Sequence, residues 1–319
     1  MQCPKCQFDH PLQTTECLKC GIVFSRYLAA QEAAASQAAV AVPLPVTQAA
    51  HALQAVALPS PAASADTDRD DAFRDDAVRE LKCRALALPL ALFAARLLVR
   101  TGFGFVAGML AMLVHESGHA VTAWLTGRWA IPTLWVTMHG DERSWPVVLI
   151  LASAICFGGF VAWKMERWGW LCIAGAALLL QLFFLSLPQY LDGALITFGG
   201  DGGALVLATI LMAMFYAPRE SAICRSWGLR WGLLVIGALA FMHVYALWSG
   251  PVENIPFGEI EGVNLSDPSL LTIMYGWSSL QLVDRYVRLA EVCLAALAAL
   301  YVWGLVSAYL DVRSADAPR

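Results

Sequence analysis

The chain has 319 residues, of which 59% are hydrophobic and only 14% charged, and its mean hydropathy is +0.60. Ordinary soluble domains carry about a quarter charged residues, so this composition points to a membrane protein instead. The formal net charge of −4 is spread along the chain without a basic block, which argues against nucleic acid as a partner.

The first residues, Met1-Gln2-Cys3-Pro4-Lys5-Cys6, lack the basic start and apolar run of a secretory signal, so they are expected to stay in the cytosol. Four of the nine cysteines form two Cys-x-x-Cys knuckles, Cys3 with Cys6 and Cys17 with Cys20. In a reducing compartment such a group suggests metal, and four thiolates close a tetrahedral shell, so the expectation is one structural zinc. Residues 1–27 therefore read as a small zinc ribbon, with Gly21 permitting a tight turn and Phe24 and Tyr27 covering one side. Lys5, Lys19 and Arg26 are too few for a nucleic-acid surface, which leaves a regulatory or recognition module for a cytosolic protein partner. The scattered Cys83, Cys156, Cys172, Cys224 and Cys293 are expected to act as small apolar side chains.

Residues 28–65 are a monotonous mixture of Ala, Gln, Pro and Val, almost uncharged and without Phe, Tyr or Trp, which is a linker composition. Residues 66–82 carry charges of both signs, with Phe73, Ala77, Val78 and Leu81 at helical spacing; this is either an amphipathic helix or a solvated charged one. A connecting region, 28–82, thus precedes a transmembrane domain, 83–319. Spans are expected at about 103–126, 147–163, 169–187, 194–216, 229–248 and 287–309, each near the 20 residues needed to cross the hydrocarbon. The apolar stretch 86–99 is short and holds Pro89 and Arg96, so it is either a further span or a re-entrant segment. The expected fold is all-α and polytopic, with six or seven transmembrane helices.

Six crossings from a cytosolic start put Lys164, Arg167, Arg219, Arg225, Arg230 and Arg313 on the cytosolic side, as the positive-inside bias prefers. Seven crossings invert them. With either count the loop after Thr126 and the loop before Ala194 share a side. The expected location is an integral, multi-pass one, in a bacterial inner membrane. Residues 131–138 alternate in polarity ahead of the turn formers at 140–144, suggesting a short hairpin. Residues 249–284, with Glu253, Glu259, Glu261, Asp267, Pro251, Pro256 and Pro268, read as an extramembrane loop without an assignable role.

The chemistry lies in His115-Glu116-Ser117-Gly118-His119. Two histidines four apart on a helix project from one face and can share a zinc, while the intervening glutamate is placed to act as a general base. Zinc lowers the pKa of a bound water and polarises a carbonyl, and needs a third protein ligand and an open fourth position. The run lies within apolar sequence, where ionisable side chains are costly and usually functional. His139 and His243 are further candidates for the site, each more often structural at such positions.

This run, continued by Ala120, Gly127 and Pro132, resembles the site-2 protease family of intramembrane metalloproteases. The resemblance covers residues 103–216. It implies hydrolysis of membrane-anchored protein substrates, a catalytic zinc on His115 and His119, Glu116 as catalytic base, and an aspartate in an Asp-Gly pattern as third ligand. Asp192, in Leu191-Asp192-Gly193, matches that pattern, although Leu185 stands where the family has Asn. Asp201, between glycines, is the other candidate. Helix rise places Asp201 at the depth of the histidines and Asp192 at the surface, which favours Asp201. Two other classes of function fit the same residues: a non-catalytic membrane scaffold or receptor with a structural metal, and a zinc hydrolase acting on something other than peptides.

Overall fold

The structure, a computed structural model, describes Phe24 and residues 61–101, 104–218, 221–261 and 264–315. The ribbon cysteines Cys3, Cys6, Cys17 and Cys20 and the linker before residue 61 lie outside the described residues. What is described is mostly helical: α1 (Pro61–Arg100), α2 (Gly104–Leu125), α3 (Trp145–Lys164), α4 (Trp168–Ser186), α5 (Asp192–Ala213), α6 (Ala222–Arg225), α7 (Trp227–Trp248), α8 (Asp267–Ile273) and α9 (Ser279–Ala315). Two antiparallel pairs interrupt them, β1 (Ala130–Pro132) with β2 (Thr137–His139), and β3 (Ile260–Glu261) with β4 (Asn264–Leu265).

Five helical stretches are long and apolar enough to cross a membrane: Trp145–Lys164, Trp168–Ser186, Gln189–Tyr216, Trp227–Trp248 and Ser279–Ala315. A sixth arises if α1 and α2, a bent pair, count as one span. Tryptophans stand at the ends of these rods, and Trp145, Trp163, Trp168 and Trp227 are all exposed, which is where amphipathic rings sit in a bilayer. The α3–α4 pair leaves most of its apolar side chains exposed, including Leu149, Ile150, Phe157, Leu179 and Phe183. Its outer surface is apolar along its length.

Residues 66–82 and 86–99 are not separate segments as expected; both belong to the 40-residue α1, which runs straight through Pro89. A proline there removes the amide that would bond the carbonyl of Ala85 one turn back. Tyr301 on α9 supplies the missing donor, its hydroxyl lying 2.9 Å from that carbonyl oxygen. The apolar half of α1 exposes Leu86, Leu90, Phe93 and Leu97 along one stripe, as lipid contact requires.

Arg230, in the first turn of α7, is buried. Its guanidinium donates to both oxygens of Glu80, at 3.0 and 2.6 Å, and to the carbonyl of Phe215 at 3.0 Å, while Arg84 donates to Glu80 at 2.7 Å. This triad ties α1 to α7. Glu80→Ala leaves two buried guanidinium groups without a counter-ion, and the expected loss is about 3–5 kcal/mol of stability, read as a lowered thermal midpoint in detergent.

The core sits where α2, α5, α7 and α9 meet, with Ala111 and Val114 of α2, Leu205, Ala208 and Met212 of α5, Phe241 and Val244 of α7, and Tyr286 and Leu297 of α9 all buried. The hairpin after α2 forms as anticipated but turns earlier, at residues 133–136, within the stretch that alternates in sequence. Thr133 makes that turn: its hydroxyl donates to the Val136 carbonyl at 2.6 Å and accepts from the Val136 amide at 3.1 Å.

Candidate metal centre

The site begins with four glycines that let α2 and α5 touch backbone to backbone. A Cβ at Gly118 would lie 2.3 Å from the Gly199 carbonyl oxygen and 2.7 Å from that of Gly200, and one at Gly203 would lie 2.6 Å from the Gly118 Cα. A Cβ at Gly200 would lie 2.6 Å from ring atoms of both His115 and His119. The imidazoles therefore rest on bare backbone, as the glycine run around Asp201 suggested.

Each ring is fixed through its Nδ1. That of His119 lies 2.7 Å from the carbonyl oxygen of Ile196, which can only accept, so Nδ1 carries the proton. That of His115 lies 2.9 Å from Asp201 Oδ1, a carboxylate oxygen. The two Nε2 atoms face each other at 3.1 Å, and in neutral rings held this way each presents its lone pair. Asp267 completes the meeting: its Oδ2 is 3.0 Å from His119 Nε2 and 3.3 Å from His115 Nε2. This oxygen is buried and has no hydrogen-bond donor among the described residues.

Two neutral imidazoles and a carboxylate set this close are stabilised by a cation shared among the three atoms. Zinc bound at about 2.0–2.2 Å with tetrahedral angles sets its ligand atoms about 3.4 Å apart, close to the separations seen here. His115, His119 and Asp267 are the group among the described residues with metal-holding geometry. Two imidazoles and one carboxylate suit zinc and leave a fourth position for water.

The group that could hold a metal has Asp267, where Asp201 was expected as the third member. Asp201 does reach the histidines at the anticipated depth, but it meets Nδ1 of His115, and its second oxygen accepts from Trp248 Nε1 at 2.7 Å. Both its oxygens are engaged away from the Nε2 pair. Trp248 is itself held by stacking on the buried Tyr286, ring centroids 4.0 Å apart. Asp192, the Asp-Gly residue, is fully buried but bound to Arg143 at 2.8 and 2.9 Å and to Arg128 at 3.4 Å. Arg143 also caps the carbonyls of Leu185 and Leu187. Asp192 therefore pins the hairpin loop to the start of α5, and Asp192→Ala is expected to cost about 1–3 kcal/mol through the loss of its charged hydrogen bonds to two partly exposed guanidinium groups, measured by thermal unfolding of metal-free protein.

Sequence reasoning left Asp267 in a loop of unassigned role. It is the first residue of α8, and Pro268 behind it presets the helical backbone. The buried hydroxyl of Ser266 donates to the Pro256 carbonyl and accepts from the Ser269 hydroxyl at 2.7 Å, while Ser269 accepts from the Gly258 amide at 2.7 Å. These bonds hold α8 so that the carboxylate points at the histidines. Ser266-Asp267-Pro268, a helix-start signal inside a loop, is the sequence feature that marks it.

Glu116, one residue round the helix from His115, is buried, and its Oε2 accepts from Thr137 Oγ1 of β2 at 2.7 Å. The same hydroxyl lies 2.8 Å from the Glu116 carbonyl. His139 lies outside the cluster, its Nδ1 3.3 Å from the neighbouring Gly140 carbonyl. His243 packs against Gly108 of α2 and is not among the metal-holding group. No protein-family model, curated protein or solved structure matches the chain, so the reading of this centre rests on its own residues.

Proposed function

We propose that the chain is a membrane-embedded zinc metallopeptidase, akin to the site-2 proteases that its His-Glu-Ser-Gly-His run resembles, with zinc held by His115, His119 and Asp267. The observation that carries this reading is the convergence of the His115 and His119 Nε2 atoms on one buried carboxylate oxygen of Asp267. Zinc in that position supplies a water of lowered pKa and a polarised scissile carbonyl. Glu116 takes the proton of the attacking water and passes it to the leaving amine, and Thr137 holds its carboxylate for that transfer. Asp201, steadied by Trp248, keeps the His115 ring in the tautomer that leaves Nε2 free.

The substrate class in this reading is membrane-anchored protein, because the histidines lie within an apolar helix beside helices fit to span a bilayer. The ribbon cysteines Cys3, Cys6, Cys17 and Cys20 hold a second, structural zinc in a cytosolic module that meets a protein partner. Purified full-length protein then carries two zincs per chain and cleaves helical transmembrane peptides. Glu116→Gln is expected to keep both zincs while cleavage falls by about 10²–10⁴-fold, the usual contribution of a general base. Consumption of lipid or small amide substrates in place of peptides would make it another kind of hydrolase. A wild type that binds two zincs and cleaves nothing would make it a scaffold.

A further inference from the structure

Near the start of α7, long side chains join α1 to its neighbours: Glu80 accepts from Arg84 and from Arg230 of α7, Tyr216 donates to the Arg84 carbonyl, and Arg84 donates to the Ala217 carbonyl. Beside these bridges lies a groove of about 480 Å³, lined from α1 by Arg79, Lys82, Leu86, Ala87, Leu90 and Ala91 and from α7 by Trp231. The α1 residues recur at three- and four-residue steps, so they form one continuous stripe of the helix. Its polarity is graded: two cations at the N-terminal end, then Cys83, then only aliphatic side chains for about one and a half turns.

We propose that this groove is a binding site for a single anionic phospholipid. The headgroup phosphate lies between Arg79 and Lys82, and one acyl chain runs down Leu86, Ala87, Leu90 and Ala91 against the Trp231 ring. Charge complementarity selects the occupant. Basic pockets between membrane helices are seats for anionic headgroups, and a dry apolar slot below two cations matches a molecule with one anionic and one hydrocarbon end. Arg79 has a partner, Asp76, at 3.5 Å, but both side chains are more than half exposed, so the pair is weak enough to exchange for a phosphate. Next to the slot stand Glu80, Arg84 and Arg230, all turned to one another; they carry no net attraction for the lipid beyond one positive charge. Occupancy would brace α1, whose carbonyls at Arg84 and Ala85 are held by tyrosines, against the helix that ends in Trp248.

Native mass spectrometry of the full chain in detergent micelles tests the site with three probes: phosphatidylglycerol, phosphatidylcholine and inorganic phosphate. One phosphatidylglycerol is expected to be retained, and neither of the others. The double variant Arg79→Gln with Lys82→Gln alters exposed positions, and should weaken phosphatidylglycerol binding roughly thirty-fold, since two basic side chains near an anionic surface contribute about that factor. Ala91→Phe fills the slot and should expel the lipid with both cations in place. Equal retention of phosphatidylcholine, binding of phosphate alone, a double variant within twofold of wild type, or no retained lipid because the chain's own N-terminal residues fill the groove would each overturn the proposal.

Discussion

Asp267→Asn is expected to strip the catalytic zinc, weakening its affinity more than roughly 1,000-fold, beyond the 10–100-fold typical of losing an outer-shell partner. The substitution keeps the size of the side chain and removes the one anionic oxygen that faces both Nε2 atoms. Asp201→Asn should behave differently. It leaves all three atoms that face the centre in place but turns an amide NH2 towards His115 Nδ1 in place of the acceptor that orients the ring, so a 10–100-fold loss is expected. The amide can still receive the Trp248 indole proton through its oxygen, which preserves the local packing. Competition with a graded chelator series reads both affinities, and cobalt substitution reports the ligand set by its visible spectrum. If Asp201→Asn loses the metal and Asp267→Asn retains it, the roles of the two aspartates are exchanged. If neither changes it, the histidines do not share a cation with either carboxylate.

The two aspartates also show what the sequence makes legible. Spans were readable because about 20 apolar residues in a row admit few other fates, and five of the six expected ones coincide with helices that pass for membrane crossings, the sixth corresponding to α2 of the bent pair. His115 and His119 were readable because helical spacing alone brings them to one face. Helix rise then found the right level on α5 for Asp201, yet level does not say which imidazole nitrogen a carboxylate meets. Asp267 was out of reach for another reason: it enters from α8, a helix of 7 residues in the loop between two long helices, and periodicity cannot place so short an element in three dimensions. The continuity of α1 was hidden by Pro89, whose cost is offset by a hydroxyl from Tyr301, more than two hundred residues away. A local signal of helix termination was overridden by a distant donor.

Two alanine substitutions one helix apart should separate seat from scaffold. At Gly118 the nearest atoms are backbone, the carbonyl oxygens of Gly199 and Gly200 at 2.3 and 2.7 Å from the added carbon, so α2 and α5 must move apart. Overpacking of this kind costs about 1–3 kcal/mol or more, and Gly118→Ala is therefore expected to lower the thermal midpoint of the protein whether or not zinc is bound. At Gly200 the nearest atoms are the imidazoles themselves, each 2.6 Å away. A methyl group there meets rings that can swing, but only by giving up the Ile196 and Asp201 bonds that aim their Nε2 atoms. Gly200→Ala should accordingly leave the metal-free midpoint near that of wild type and cut zinc affinity by roughly 100-fold or more, as expected when both ligands lose their orienting partners. Calorimetry with and without chelator distinguishes the two. Wild-type zinc affinity in Gly200→Ala would mean that the histidine rings do not lie on α5, and the three-residue centre would then lack the wall that sets its geometry.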